Sequence, residues 1–576
     1  YCDYRIATKN KDTMFSLPEV KLGLMPGMGG TYHLPKLIGL SNSLDLMLTG
    51  KAVNYDKAAK LGIVDELVDI KDLEDRAFKK ALDFKDSDIK RYKNLDLVSK
   101  LANYGIFRNY ILNKAKQKID KVTKGNMPSP YKIIDTLKTY YTKNQSEYLK
   151  QESNSFADLI ETKESKALIG IFTGSSKVKK HNFGKSKKIN NVLVLGAGLM
   201  GSGIADVSSK NYDVYLKDNN EKNINTAKSK LKSNNISYFH NNSKELKKIN
   251  NSDIIIEAVY EDLKVKKDLL KSVEENQNNN FIFASNTSAI PIYQIAENSK
   301  NPENVIGIHY FSPVQKMPLV EIIPHEKTSE LTISTAYDVI SKQGKTPILV
   351  KDVPGFFVNR CLAPLLVELP ELILDGVKLP QIDESMKNFG MPVGPITLSD
   401  EVGIDIAKHV ITFMSKSDLE NRLNGDTDLI YKMVENNWLG KKTKLGFYDY
   451  SNHKKIVNKE LIYLVDSILW EKRMGLYGDS HITNDEINMR LIGKYTNEAA
   501  YCLQNEIINN PIEGDIGSVF GIGFPPHLGG PFRMLDQMGI DTFNTKMFKL
   551  VEKYGKQFEP APILIEYEKS KKKFYK

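Results

Sequence analysis

The sequence predicts a multidomain α/β protein with a doubly wound parallel sheet at its centre and an all-helical carboxy-terminal part. Three observations carry this expectation. A short apolar run, Val192-Leu193-Val194-Leu195, enters Gly196-Ala197-Gly198-Leu199-Met200-Gly201, and an acidic residue, Asp218, closes a second strand, Asp213 to Lys217. Buried-strand patterns recur at Asp253 to Val259 and Phe281 to Ala284, separated by helical stretches, as parallel α/β units require. Beyond Asp352 the pattern Pro395-x4-Asp400-x2-Gly403-Ile404-Asp405 is repeated as Pro531-x4-Asp536-x2-Gly539-Ile540-Asp541, and the identical spacing marks an internal duplication.

The glycine-rich turn is a dinucleotide-binding fingerprint in its proper context of strand, turn, helix and acid. Gly196 permits the tight turn, Gly198 lets backbone approach a pyrophosphate at the positive helix end, and Gly201 lets the helix pack on its strand. The Asp218 carboxylate is placed to accept from an adenine ribose and to repel a 2'-phosphate, which favours NAD over NADP, although Lys217 beside it weakens the preference.

Bulk properties narrow the class. The chain has 576 residues, 41% hydrophobic and 26% charged, a length for several domains and a composition for globular ones. No uninterrupted apolar run of about 18 residues predicts a membrane span. The net charge of +10 comes mostly from lysine, part of it in runs at Lys177 to Lys188 and Lys569 to Lys576, which read as a linker and a mobile, solvated tail. Without zinc-finger spacing or an aromatic-basic motif, that charge does not predict nucleic-acid binding. Cys2, Cys361 and Cys502 are too scattered in sequence to form CxxC metal or redox pairs, so no metal site and a reduced, intracellular setting are expected. The opening Tyr1-Cys2-Asp3-Tyr4 reads as the start of a fragment.

In chain order, the first part has a strand from Met14 to Leu17, a glycine turn at Pro26 to Gly30, helical periodicity through Leu34 to Leu48 and a helix from Tyr55 to Leu61. Amphipathic helix follows from Leu73 to Ile171, broken at Met127-Pro128-Ser129-Pro130. The predicted domains are 1–185, a Rossmann-type unit at 188–351, and helical copies at 352–450 and 458–568. Each copy follows an arginine-bearing helix start, Asn359-Arg360 and Asn488-Met489-Arg490.

The chemistry-bearing residues follow the nucleotide half. Val305 to Tyr310 and Pro318 to Ile323 read as strands around a Pro-containing turn, and an antiparallel hairpin centred near Gln315 sets His309 opposite Glu321. A carboxylate there orients the imidazole and stabilises its protonated form, as a general base toward a hydroxyl requires. Ser288 and Asn359 supply hydrogen bonds to substrate oxygens.

These residues, through Val192 to Ala407, resemble the L-3-hydroxyacyl-CoA dehydrogenase family. The resemblance implies a catalytic His309-Glu321 pair, a substrate-contacting Ser288, and Asn359 as the asparagine before the arginine. It implies NAD contacts at Met200, Asp218, Val259-Tyr260-Glu261, Lys266 and Ser288. Ser312 stands where the family has asparagine in its His-Phe-Phe-Asn-Pro motif, and Phe558 where it has a substrate-contacting tyrosine, leaving the ring either to pack on an acyl chain or to serve the core.

Leu17-Pro18-Glu19-Val20-Lys21-Leu22-Gly23 and Pro26-Gly27-Met28-Gly29-Gly30 are similar to the end of a crotonase (enoyl-CoA hydratase/isomerase) domain. The order of parts resembles the α-subunit family of bacterial fatty acid oxidation complexes and their organellar multifunctional relatives. Acyl-CoA substrates, a thiolase β-subunit partner and a bacterial cytoplasmic setting are what that resemblance implies. Glu19 matches the second catalytic glutamate of hydration. The first, and the oxyanion donors, would precede Tyr1, so hydratase chemistry is expected of a longer protein and not of this chain. Two alternatives stand beside this reading. A dehydrogenase of a small non-CoA hydroxy acid is opposed by the crotonase part, and a non-catalytic scaffold for a thiolase by the intact Ser288, His309, Glu321 and Asn359.

Overall fold

The computed structural model describes residues 2–85, 105–140, 142–241, 246–277, 280–417, 419–473 and 481–575. The chain forms two compact units, Tyr1–Phe172 and Thr173–Lys576.

In the first unit Ile6–Thr8 pairs parallel with Glu66–Val68, and Met14–Phe15 antiparallel with Val53–Asn54. The helical stretch expected through Leu34 to Leu48 is two helices, Gly30–Ile38 and Leu40–Thr49, because Gly39 adopts φ +79° between them. Tyr55–Leu61 is helical as expected, its first turn capped by the Asn54 side chain accepting from the Lys57 amide. Buried Glu152 ties the glycine turn down, accepting from the Gly29 and Thr31 amides at 2.6 and 3.0 Å. The amphipathic region contains helices Leu73–Asp83, Gly105–Thr123, Pro128–Lys138 and Gln145–Ile160, and its part at 86–104 lies outside the described residues. Pro128 and Pro130 fall in a first helical turn, where a missing N–H costs no hydrogen bond.

The second unit is built on an eight-stranded sheet: β1 (Asn191–Leu195), β2 (Asp213–Lys217), β3 (Ile236–Phe239), β4 (Ile254–Glu257), β5 (Ile282–Ser285), β6 (Val305–Tyr310), β7 (Leu319–Ile323) and β8 (Thr346–Leu349). Their order is 8-7-6-5-4-1-2-3. β6 and β7 pair antiparallel, β7 and β8 parallel, so the last two strands run against the other six. The order reverses between β1 and β4, and ligands of open α/β sheets bind beyond the strand ends at such a point. Helices α1 (Leu199–Ser208), α2 (Leu263–Asn276) and α3 (Glu330–Lys342) accompany the sheet. One sheet core runs from Val192 and Val194 through Ile256 and Ile308 to Ile322 and Ile340 on α3. The lysine-rich stretch before β1 is tethered to α3, with the Lys187 amide donating to Thr335 Oγ1 at 2.9 Å.

The helical part opens with α4 (Val358–Leu374). The two segments expected to be copies share one hydrogen-bonded frame. In the first, Asp383 accepts from the Ile396 amide and the Tyr448 hydroxyl, and Asp400 from the Phe447 and Tyr448 amides. In the second, Asp515 accepts from the Phe532 amide and the Tyr575 hydroxyl, and Asp536 from the Phe574 and Tyr575 amides. Gly394 and Gly530 are alike in having no room for a Cβ, which would lie 2.2 and 2.4 Å from Asp383 and Asp515 Oδ1.

This frame corrects the expectation of a mobile tail. Pro562–Ser570 is helical, and the Phe574 ring packs on Phe532 and Tyr567 at 4.9 and 4.8 Å. The lysine run conceals an aromatic pair that buried Asp515 and half-buried Asp536 pin.

Candidate functional site

The glycine turn between β1 and α1 is shaped by close backbone approaches. Gly196 has φ +100°, and a Cβ there would lie 2.4 Å from the Ala258 carbonyl oxygen. A Cβ on Gly201 would lie 1.8 Å from the Gly196 oxygen. Gly198, the residue before α1, faces open space, with nothing within 4 Å of where its Cβ would be. Two glycines thus make the turn, and the third leaves a cradle at the helix N-terminus, a fit for a pyrophosphate. Asp218 has a structural task as well: its carboxylate accepts from the Ala197 amide at 2.7 Å and the Asn220 amide at 2.7 Å, holding the end of β2 against the turn. Tyr260 lies exposed in the loop after β4, and Met200 is partly buried on α1.

The hairpin of β6 and β7 sets His309 opposite Glu321 in register. Both side chains are buried, and His309 Nδ1 lies 2.7 Å from Glu321 Oε2. The other carboxylate oxygen, Oε1, accepts from the Phe357 and Val358 amides at 3.2 and 3.0 Å. Those amides point at it because Gly355 and Phe356 adopt successive left-handed conformations, φ +73° and +53°, as the chain turns into α4. The positive end of α4 favours an anion there. Phe311 and Phe356 flank the imidazole at ring distances of 4.5 and 6.0 Å.

Asn359 lies one residue further along α4, and its Nδ2 donates to the Ser288 carbonyl at 2.9 Å. The Ser288 amide and hydroxyl donate to Glu261 Oε1 at 2.9 and 3.2 Å, and Thr287 Oγ1 joins at 2.6 Å. Lys266 Nζ lies 3.2 Å from Glu261 Oε2. Burial alone would push the Glu261 carboxyl up, but Lys266 and these hydrogen bonds outweigh it and hold the group below the usual carboxylate range.

Hydrogen bonds therefore link Asn359, Ser288, Glu261 and Lys266, and His309 is linked through Glu321 to the start of the same helix, α4. Ser312 is exposed in the turn after β6. Glu19 belongs to the first unit, in the 3₁₀ turn Glu19–Leu22, with Oε2 buried and unbonded among the described residues. Phe558 lies in the core, the second of the two places expected for it. Its ring is wholly buried under the Lys494 ammonium at 5.0 Å and beside Tyr554, so it offers no open face. Sequence reasoning missed the Phe357 and Val358 amides, and it missed Glu257, a wholly buried carboxylate at the end of β4.

Residues 191–353 match the profile of the 3-hydroxyacyl-CoA dehydrogenase NAD binding domain, 355–450 that of the 3-hydroxyacyl-CoA dehydrogenase C-terminal domain, and 1–98 that of enoyl-CoA hydratase/isomerase. Over its whole length the chain is 39% identical to the fatty acid oxidation complex subunit alpha of Vibrio vulnificus, covering 82% of that protein. It is 40% identical to the corresponding subunit of Shewanella halifaxensis, covering 83%. The chain belongs to the fatty acid oxidation complex α-subunit family. As a member of that family it is an NAD-dependent 3-hydroxyacyl-CoA dehydrogenase carrying a crotonase-type domain. The 3-hydroxybutyryl-CoA dehydrogenase of Escherichia coli has a TM-score of 0.56 at 22% identity, over 67% of this chain and 99% of its own, a likeness of fold. No helix among the described residues is long and apolar enough to cross a membrane.

Proposed function

We propose that His309 is the general base that takes the hydroxyl proton as an L-3-hydroxyacyl-CoA is oxidised, held for that task by Glu321. The observation that carries this reading is the 2.7 Å contact between Nδ1 and a carboxylate that two amides already fix in place. With Nδ1 donating to Glu321, the lone pair of Nε2 is left to accept the C3 hydroxyl proton, and the carboxylate then stabilises the imidazolium. The two phenylalanine rings keep water from the imidazole. Ser288 and Asn359, already joined to one another, orient the substrate oxygens. Gly196, Gly198, Gly201, Met200 and Asp218 would hold the adenosine and phosphate end of NAD, and Val259, Tyr260, Glu261, Lys266, Ser288 and Ser312 the other end. NAD, when bound, supplies the acceptor for the hydride that leaves C3.

The relatives are named as α-subunits of a complex and come from bacteria, which supports a partner subunit and a bacterial cytoplasmic setting; that the partner is a thiolase is what the order of parts in the sequence implies. Copurification with a co-expressed thiolase tests the partnership. For the dehydrogenase, NADH formation from L-3-hydroxybutyryl-CoA and a long-chain homologue is the assay. His309→Gln is expected to lower kcat by about 10³-fold with little change in melting, and an active variant overturns the assignment.

A further inference from the structure

Three segments of the chain converge on Glu257. Its Oε1 accepts from Lys266 Nζ on α2 at 2.7 Å and from the Val259 amide in the following loop at 2.8 Å, and its Oε2 accepts from Ser285 Oγ at the end of β5 at 2.6 Å. Glu257 is wholly buried, and Lys266 is 1% exposed. Burying such a pair is costly even with every lone pair met, and an apolar residue in a sheet core avoids that cost. A carboxylate kept here has a task that an apolar side chain cannot perform.

The partners of Glu257 define that task. Lys266 passes from Glu257 to Glu261, and Glu261 holds the amide and hydroxyl of Ser288. The loop whose Val259 amide it takes is the one whose Ala258 carbonyl presses on Gly196. We infer that Glu257 is a positioning residue for the cofactor site, setting the loop after β4, Lys266 and, through Glu261, Ser288. Glu257 itself is shut away from any ligand. The inference rests on Glu261 and Ser288 facing NAD, with Lys266, almost as buried as Glu257, acting through Glu261.

Calorimetric titration of NADH into the whole chain tests this without turnover, using Glu257→Gln, Lys266→Met and the double variant. Glu257→Gln keeps the shape and loses the charge that holds Lys266. It is expected to weaken NADH binding about tenfold, the loss of one charge-assisted hydrogen bond. Lys266→Met should weaken it to a similar degree, and the double variant no further, because the two groups act as one unit. A double variant about a hundredfold weaker, the product of the two single effects, overturns the inference. So does a Glu257→Gln variant that melts lower yet binds NADH like the parent. Should Glu257→Gln fail to fold, Ser285→Ala removes one of the three partners without stranding a charge. It is expected to weaken NADH about threefold, and unchanged binding overturns the inference. A parent chain that binds NADH but turns over no hydroxyacyl-CoA would count against the substrate reading alone.

Discussion

The two helical segments of the second unit share a frame and differ in what they offer to the sheet. At the start of each, a buried arginine reaches into the other: Arg360 Nε donates to Glu498 at 3.0 Å, and Arg490 Nε to Glu368 at 2.6 Å. The exchange is reciprocal, as across a two-fold axis. The residue before each arginine marks the difference. Asn359 donates to Ser288 beside the nucleotide half, whereas Met489 is a buried apolar residue. The frame is thus a folding device that tolerates either residue, and the polar group that meets the proposed site was kept once. The second segment supports the site from behind. Its helix Pro511–Gly521 brings Gly517 against Ile348 and Phe357, and Gly521 against Leu319 and Val358, the strands and helix start that seat Glu321.

The largest expected effect comes from breaking the reciprocal pairs. Glu368→Gln leaves Arg490 and Lys494, both 1% exposed at their side chains, without their shared carboxylate. A loss of about 3–5 kcal/mol is expected in urea unfolding. Glu498→Gln should cost less, because Arg422, the second partner there, is 15% exposed and can turn to water. Equal losses would contradict this account of the asymmetry.

Next come the residues before the arginines. Asn359→Ala is expected to lower kcat about a hundredfold through lost positioning, with stability nearly unchanged. Met489→Ala should keep kcat and cost about 2 kcal/mol as a cavity in the core. An inactive, fully stable Met489→Ala would assign chemistry to the wrong segment.

A smaller difference lies in charge. Lys455 Nζ lies 2.9 Å from Asp383, while Asp515 has no salt bridge among the described residues, and burial raises its pKa to about 8. A carboxyl raised in the folded state stabilises it below the unfolded value of about 4. That contribution is lost as pH rises through about 8. Melting temperature should therefore fall over this interval, and Asp515→Asn should flatten the slope; parallel slopes would remove Asp515 as the cause. The smallest effect is expected from Gly521→Ala, whose Cβ would lie 2.9 Å from Leu319. A drop in kcat of about threefold, through a displaced Val358 amide, is the expected reading from steady-state kinetics.

Much of the nucleotide half was readable because its signals are local. Strand β2 and the glycine turn lie where the apolar runs and glycines put them, and His309 faces Glu321 because a hairpin about Gln315 equalises their distances from the turn. The unread parts depend on partners far apart in sequence. Phe574 and Tyr575 look like the end of a lysine tail until Asp515 and Asp536 are found beside them. Glu257 reads as one more residue of a buried strand, and only the neighbouring Ser285 and Lys266 reveal its network. Phe558 was carried over from a tyrosine position, and periodicity could not show that its ring is sealed.

The most direct test of the central claim is NADH formation from L-3-hydroxybutyryl-CoA by this chain and its His309→Ala variant under saturating NAD. The account predicts turnover by the parent and a loss of about 10³-fold in a variant that still melts cooperatively and binds NADH. Near-parental turnover by the variant would contradict it and move the proton-accepting role away from the β6–β7 hairpin.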